Sequence, residues 1–275
     1  MSVRLNNGVE MPRIGYGTYR STPEQLEEAM PIAIESGYRL FDTASAYRNE
    51  AAVHSLRPPG SFLTTKIGPK DLFNPGEAIQ RAIDTCRPDM ILIHWPAAFG
   101  LVPTDPRNSE YRLQAWQTLE DFYLAGKLKA IGVSNFQVEH LEELNRRGRV
   151  VAQVNQIEAH PLYYPKAVID YCRSRNIHIQ AYASLGEGEI LKPEYSVRCP
   201  ILKQVKANYP QQTLAQILLK WALLHDFSII PKSLNPERIR ENISLDFELF
   251  PADFFLLNSL STHNNKFCWN PQLVK

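Results

Sequence analysis

The chain has 275 residues, 44% of them hydrophobic, with 30 basic against 29 acidic side chains and a formal charge of +1. No run of one charge sign marks a nucleic-acid or membrane-surface binder, and the length allows one large domain or two small ones. Cys86, Cys172, Cys199 and Cys268 form no CxxC pair, so neither a zinc site nor a disulfide scaffold is indicated; a reducing cytoplasm fits. The first residues lack the apolar centre of a signal peptide, and Lys220, His225 and Asp226 break the longest apolar run, Ile217 to Ile230.

In chain order, Asn7-Gly8 between Val3–Asn6 and Val9–Arg13 predicts a small hairpin. Arg13 to Tyr19 reads as a first strand. Pro23 to Ser36 has helical spacing at Leu26, Met30 and Ile34, with Pro31 expected to kink it and Gly37 to stop it. Tyr38 to Thr43 is strand two, Asn49 to Leu56 a short helix, and Ser61 to Ile67 strand three. Pro75 to Thr85 is helical, Asp89 to His94 is strand four, and Glu110 to Ala125 is a helix with Trp116, Leu119 and Tyr123 on one face. Ala130 to Asn135 is strand five, Gln137 to Asn145 a helix, Val150 to Ile157 strand six, Pro165 to Asn176 a helix, and Ile177 to Tyr182 strand seven. Helices follow at Cys199–Asn208 and Thr213–His225. Phe227 to Pro231 is strand eight, with helices at Pro236–Ile243 and Pro251–Leu260.

Strict alternation of strand and helix implies a parallel sheet, and eight such units in this length predict a (β/α)8 barrel. A doubly wound sheet would call for a GxGxxG turn, which the sequence lacks. No linker or low-complexity tract divides residues 1–275, so the expectation is a single α/β domain. Its N-terminal β-hairpin precedes the barrel, and its outer helices after strands two and three are shortened.

In a barrel every strand C-terminus faces one mouth. Asp42, Lys66 and His94 end strands two, three and four, and Tyr47 follows Asp42 by five residues. One such group alone reads as a cap or a solvated charge; four converging is a candidate site. A tyrosine hydroxyl titrates near ~10, and a neighbouring ammonium lowers that value. Asp42 would hold Lys66 charged, while His94 would hydrogen-bond an oxygen on which negative charge develops. The set suits protonation of a carbonyl oxygen, with hydride from a cofactor.

Several stretches together resemble the aldo-keto reductases. They are Gly17-Thr18-Tyr19, Phe41-Asp42 through Tyr47 to Glu50, Thr64-Thr65-Lys66, Leu92-Ile93-His94-Trp95-Pro96, Ile131 to Phe136, Asn155-Gln156 to His160-Pro161 and Ile230-Pro231-Lys232-Ser233. The resemblance implies an NADPH-dependent carbonyl reductase of small aldehydes and ketones, with Tyr47 as general acid, His94 orienting the carbonyl, Lys66 tuning Tyr47 and Asp42 paired to Lys66. It further implies that Ser134, Asn135 and Gln156 hydrogen-bond the nicotinamide carboxamide and that Tyr182 stacks on the ring. Glu241 and Asn242 would hold the adenine. The cofactor set it implies is Gly17, Thr18, Tyr19, Asp42, Ser134, Asn135, Gln156, Tyr182, Ala183, Leu185, Lys232, Ser233, Leu234, Asn235, Arg238, Glu241 and Asn242. Substrate contacts come from Tyr19, Tyr47, His94 and Trp95, and no metal is expected.

Lys232 at the end of strand eight and Arg238 on the next helix suit the extra 2′-phosphate of NADPH. The chain departs from the family pattern in the short stretch between Tyr47 and Lys66, in the stretch Ala78 to Asp89, and at Glu187, whose charge would repel phosphate unless it turns away. Two rival readings remain at this stage: a non-catalytic NADPH-binding relative, and a barrel isomerase or lyase using Lys66 as a Schiff base. A monomer is expected, since no exposed apolar stripe asks for a partner.

Overall fold

The computed structural model describes residues 1–275, the side chain of Ser196 aside. A hairpin of β1 (Ser2–Arg4) and β2 (Glu10–Pro12) precedes the main sheet. The main sheet comprises β3 (Tyr16–Gly17), β4 (Leu40–Asp42), β5 (Phe62–Ile67), β6 (Met90–Ile93), β7 (Ala130–Ser134), β8 (Val154–Glu158), β9 (His178–Tyr182) and β10 (Ser228–Ile229). These eight strands pair in sequence order, and all are parallel.

The sheet closes on itself. Gly15 N–H donates to Ile229 O at 2.8 Å, Ile229 N–H to Arg13 O at 2.8 Å, and Gly17 N–H to Pro231 O at 3.2 Å, around a parallel bridge between Ile14 and Ile229. Gly17 permits this seam: a Cβ there would lie 2.6 Å from Ile230 O. The result is the expected (β/α)8 barrel. Both seam strands are shorter than their sequence runs, because the closure is carried by isolated bonds on either side of two-residue ladders.

The helices between strands are α1 (Pro23–Glu35), α2 (Glu50–Leu56), α3 (Pro75–Cys86), α4 (Arg107–Leu124), α5 (Val138–Arg147) and α6 (Lys166–Ser174). They are followed by α7 (Pro193–Arg198), α8 (Pro200–Ala207), α9 (Leu214–Leu224), α10 (Pro236–Ile243) and α11 (Pro251–Ser259). Thr22 caps α1 in a reciprocal capping box with Gln25. The helix continues through Pro31; both Pro31 and Glu27, whose carbonyl loses its partner, are exposed, so water can satisfy that oxygen. Helix α2 has 7 residues and α3 has 12. The sequence pattern did not anticipate α7, a six-residue helix directly before α8.

Strand alternation sorts the core into two layers. Leu40, Phe62, Met90, Leu92, Ala130, Val154 and Ile230 point into the barrel and pack with Leu5 and Met11 of the hairpin. Most of these begin their strands, so the hairpin seals the N-terminal end of the barrel. Asn6 and Asn7 pin it there, donating to Ala152 O at 3.0 Å and Lys129 O at 2.9 Å. The opposite alternation packs residues such as Phe41, Leu63, Ile91, Ile131 and Ile179 against the helices. The four cysteines are free. Among the described residues no helix is long and apolar enough to cross a membrane, and no cluster of His, Cys, Asp or Glu could hold a metal.

Candidate active site

Strand register brings the titratable groups to one end. Asp42 closes β4 and pairs in register with Thr64, which puts Lys66 one pleat further along β5; His94 follows β6 directly. Lys66 Nζ lies 2.6 Å from Asp42 Oδ1 and donates to Thr43 O at 2.9 Å. Both side chains of the ion pair are nearly inaccessible, at 0% and 3% exposure. Burial lowers the Lys66 pKa from its ordinary value, and Asp42 opposes that shift.

Tyr47 sits in a short turn of 3₁₀ helix, Ser45–Tyr47, above this pair. Lys66 Nζ lies 5.0 Å from its ring centroid, and the His94 ring stands 5.8 Å away at 77°. Asn49 fixes the turn. Its buried amide donates to Thr18 O at 3.0 Å and Ser21 O at 2.9 Å while accepting from Thr43 Oγ1 at 2.6 Å.

The electrostatics differ from the sequence expectation in one respect. Burial, then the Asp42 charge, raises the Tyr47 hydroxyl well above its usual value. Lys66 directs its bonds to Asp42 and Thr43 and lies over the Tyr47 ring, so it does not offset that rise. Tyr47 therefore holds its proton. Burial, with Lys66 adding repulsion, brings His94 down to about 3 and leaves it neutral near pH 7.

Behind the ion pair, Gln156 Nε2 donates to Asp42 Oδ2 at 2.8 Å and to Gln180 Oε1 at 2.7 Å. A carboxylate only accepts, so this contact sets the amide orientation and leaves Gln156 Oε1 as the free acceptor. Asn135 cross-links three strand ends: it donates to His94 O and to Ser134 Oγ, each at 3.0 Å, and accepts from Tyr182 OH at 2.6 Å. Ser134 Oγ in turn donates to Gln156 O at 2.9 Å. Asn135 and Ala183 are left-handed, with φ of 66° and 47°. An asparagine tolerates that conformation, whereas for alanine it is strained by roughly 1–2 kcal/mol.

A cavity of about 1060 Å³ opens over these groups, at the upper end of the roughly 300–1,000 Å³ usual for small-molecule sites. Its inner part is lined by Asp42, Tyr47, His94, Ser134, Asn135, Gln156 and Tyr182, with Tyr19 and Trp269 beside them. It runs past Gly17, Ala183 and Leu185 to Lys232, Ser233, Arg238, Glu241 and Asn242. Burial, then the neighbouring Arg20, lowers the Lys232 pKa. Tyr16 OH fixes the turn before α10 by donating to Ser233 O at 2.6 Å, and Asn235 caps α10 by accepting from Arg238 N at 3.0 Å.

Other sequence-selected residues stand outside the cavity. Thr18 is buried, its Oγ1 donating to Asp42 O at 2.8 Å. Leu234 packs with the core between α1 and α10. Asn235 serves α10 as its cap, and Trp95 is absent from the cavity lining. Lys66 lies beneath the floor, which leaves a Schiff base no reachable amine. Glu187 pairs with Arg20 at 3.4 Å and accepts from Cys268 Sγ at 3.7 Å. Its charge is thus partly matched at the cavity edge.

Sequence reasoning missed Gln180, Arg20 and the stretch Thr213–Ala215. Gln180 was recoverable: it sits two residues before Tyr182, on the same inward parity of β9.

A parallel barrel with a proton-holding tyrosine, a neutral histidine and a buried lysine–carboxylate pair at its mouth describes a carbonyl oxidoreductase. A model of the Aldo/keto reductase family matches residues 13–261, and the chain belongs to that family. It is 34% identical over 273 residues to the glyoxal reductase of Bacillus subtilis (strain 168), covering 94% of this chain and 92% of that one. It is 31% identical to a methylglyoxal reductase of Yersinia pestis, covering 94% and 92%. A solved aldo-keto reductase from a Medee basin deep-sea metagenome library superposes with a TM-score of 0.88 at 33% identity, over 100% of both chains. The protein is therefore an oxidoreductase acting on small-molecule carbonyl groups, in a family that uses NAD(P)H.

Proposed function

We propose that this chain, acting as one barrel domain in a reducing, cytoplasmic setting, reduces small aldehydes and α-dicarbonyls to alcohols with NADPH. The observation that carries the reading is the Asp42–Lys66 pair locked beneath Tyr47, with His94 facing it across the inner end of the cavity. A nicotinamide held in the cavity would supply the hydride that the carbonyl carbon accepts.

Tyr47 donates its proton to the carbonyl oxygen. Neutral His94 offers an N–H to that same oxygen and orients it. Lys66, held by Asp42 and Thr43 beneath the Tyr47 ring, makes a rigid floor that fixes where the tyrosine hydroxyl points. Gln156 presents its carbonyl oxygen, and Ser134 its hydroxyl, to the carboxamide. Tyr182, in the cavity wall, would stack on one face of the nicotinamide and leave the other to the substrate. At the far end Lys232 and Arg238 hold the 2′-phosphate, and Glu241 and Asn242 the adenine.

The residues present fit that cofactor: the cavity runs continuously from the uncommitted Gln156 oxygen to the two cations. Glyoxal and methylglyoxal head the substrate class, supported by the names of two relatives. The test is NADPH oxidation followed by absorbance with both dicarbonyls and a panel of aldehydes, alongside a fluorescence titration of NADPH. Turnover abolished in Tyr47→Phe with NADPH still bound is the expected result. Binding without turnover in the natural sequence would overturn the catalytic assignment.

A further inference from the structure

The end of β8 carries a buried carboxylate that this chemistry does not use. Glu158 is 1% exposed. It accepts from the backbone N–H of Phe267 at 2.6 Å and of Cys268 at 3.0 Å, from His160 Nε2 at 3.1 Å and from Lys266 Nζ. Burial alone would raise its pKa, but His160, Lys266 and the Phe267 N–H outweigh burial and hold it at about 2. It is an anion throughout the working range, so His160 Nε2 must carry the hydrogen.

Most of these donors come from one segment, Lys266 to Cys268, more than 100 residues further along the chain. Its last residue, Cys268, and the next, Trp269, enter the cavity wall. The Trp269 ring stands edge-on to Tyr19 at 6.3 Å, and Tyr19 leans on Tyr47 at 5.1 Å. The tail is thus hung from a barrel strand immediately before it closes the catalytic end. Two lesser ties flank the anchor: Asn265 N–H donates to Leu162 O at 2.8 Å, and Phe267 packs on His160 at 5.3 Å.

We infer that Glu158 is a positioning residue for the carbonyl substrate: by fixing residues 266–268 it sets Cys268 and Trp269 as the outer wall of the substrate end, and so governs KM and size selectivity without touching the substrate. The location of the substrate rests on the function proposed above; the anchoring of the tail does not. A glutamine in its place would turn an N–H₂ towards donors and lose the charge that holds Lys266.

The experiment compares the natural chain with Glu158→Gln in two readouts. In the first, chymotryptic cleavage after Phe267, followed by mass spectrometry, should accelerate about tenfold in the variant as the anchored segment opens. In the second, KM for benzaldehyde should rise about tenfold with kcat within about threefold, while KM for methylglyoxal moves less. The NADPH dissociation constant should stay within about twofold. An unchanged cleavage rate with an unchanged ratio of KM values overturns the inference. So does an equal loss of kcat on both substrates, the mark of a general structural defect.

If Glu158→Gln does not accumulate folded, Lys266→Met decides. It leaves the backbone donors in place, so the same shifts are expected at about threefold, with Lys266→Arg restoring the natural values. A natural chain that reduces neither aldehyde sinks the functional reading and the substrate role with it. Cleavage after Phe267 still decides the anchoring in that case.

Discussion

The two ends of the cavity are built by opposite physics. At the catalytic end, Lys66 and Asp42 are almost wholly withdrawn from water, and Gln156 and Gln180 extend the same network into the barrel. At the phosphate end, Lys232 and Arg238 are exposed, and the nearby Arg20–Glu187 contact involves an arginine that is 66% exposed. The first arrangement is costly to build and rigid, which suits groups that must meet a reacting atom within a fraction of an ångström. The second is cheap and adaptable, which suits recognition of a charged tail by field and hydrogen bonds. On the function proposed above, chemistry is kept in the dry end and affinity in the wet one.

That contrast can be broken most sharply at the dry end. Replacing Tyr47 with Phe removes only the hydroxyl, and kcat should fall by roughly 10²–10⁴-fold at unchanged NADPH affinity, read by steady-state kinetics beside a cofactor titration. Lys66→Met leaves Asp42 charged, buried and unpaired. Urea unfolding should then show a loss of about 3–5 kcal/mol, and a variant as stable as the natural chain would mean that the pair is not buried in solution.

The wet end predicts a milder and different failure. Lys232→Ala or Arg238→Ala should weaken NADPH by about 10- to 100-fold, leave NADH within about threefold, and spare stability. Equal losses for both cofactors would remove the 2′-phosphate from this end.

The smallest effect expected is an absence of change with pH. His94, held near 3, is neutral over the working range, and Tyr47 is raised above its ordinary value by burial. With Tyr47 as the proposed proton donor, kcat/KM should vary by less than about twofold between about pH 5 and 9 and fall only as Tyr47 deprotonates at higher pH. An acid limb centred near 6.5 would place a titrating histidine at the site. For folding the sign runs the other way from a paired histidine. The depressed His94 pKa contributes stability that is present above the unfolded value, and it is lost as pH falls through ~6.5 towards 3.

Much of this was legible in the sequence because a barrel converts strand ends into neighbours. Asp42, Lys66 and His94 were readable as strand termini, and Tyr47 by its distance from Asp42, without knowing how the strands pair. The same logic failed wherever register or side-chain direction decides. Trp95 follows His94 in sequence yet lies outside the cavity lining, because adjacent residues at a strand end face opposite ways. Thr18 points into the fold to satisfy Asp42 O, and the role of Asn49 depends on bonds to loops 28 and 31 residues distant. The rise in the Tyr47 pKa was invisible for a further reason: it follows from how deeply the ring sits, which no spacing encodes. Glu187 shows the converse. As a bare letter it argued against phosphate, and in space Arg20 stands beside it.

The seam between β3 and β10 bears on how the molecule is made. Gly15 and Gly17 find their partners only at Ile229 and Pro231, so a ribosome must add more than 200 residues before the first barrel strand has its second neighbour. At roughly 5–20 residues per second that wait lasts on the order of 10–40 s. For all of it the growing sheet has two open sides. One of those sides is β3, a strand of 2 residues, a ladder too short to recruit a neighbouring chain efficiently; the other advances from β4 to β9 as each new strand pairs with the last. The brevity of β3, which looks like a weakness in the finished barrel, blunts the one side of the sheet that stays open throughout its synthesis.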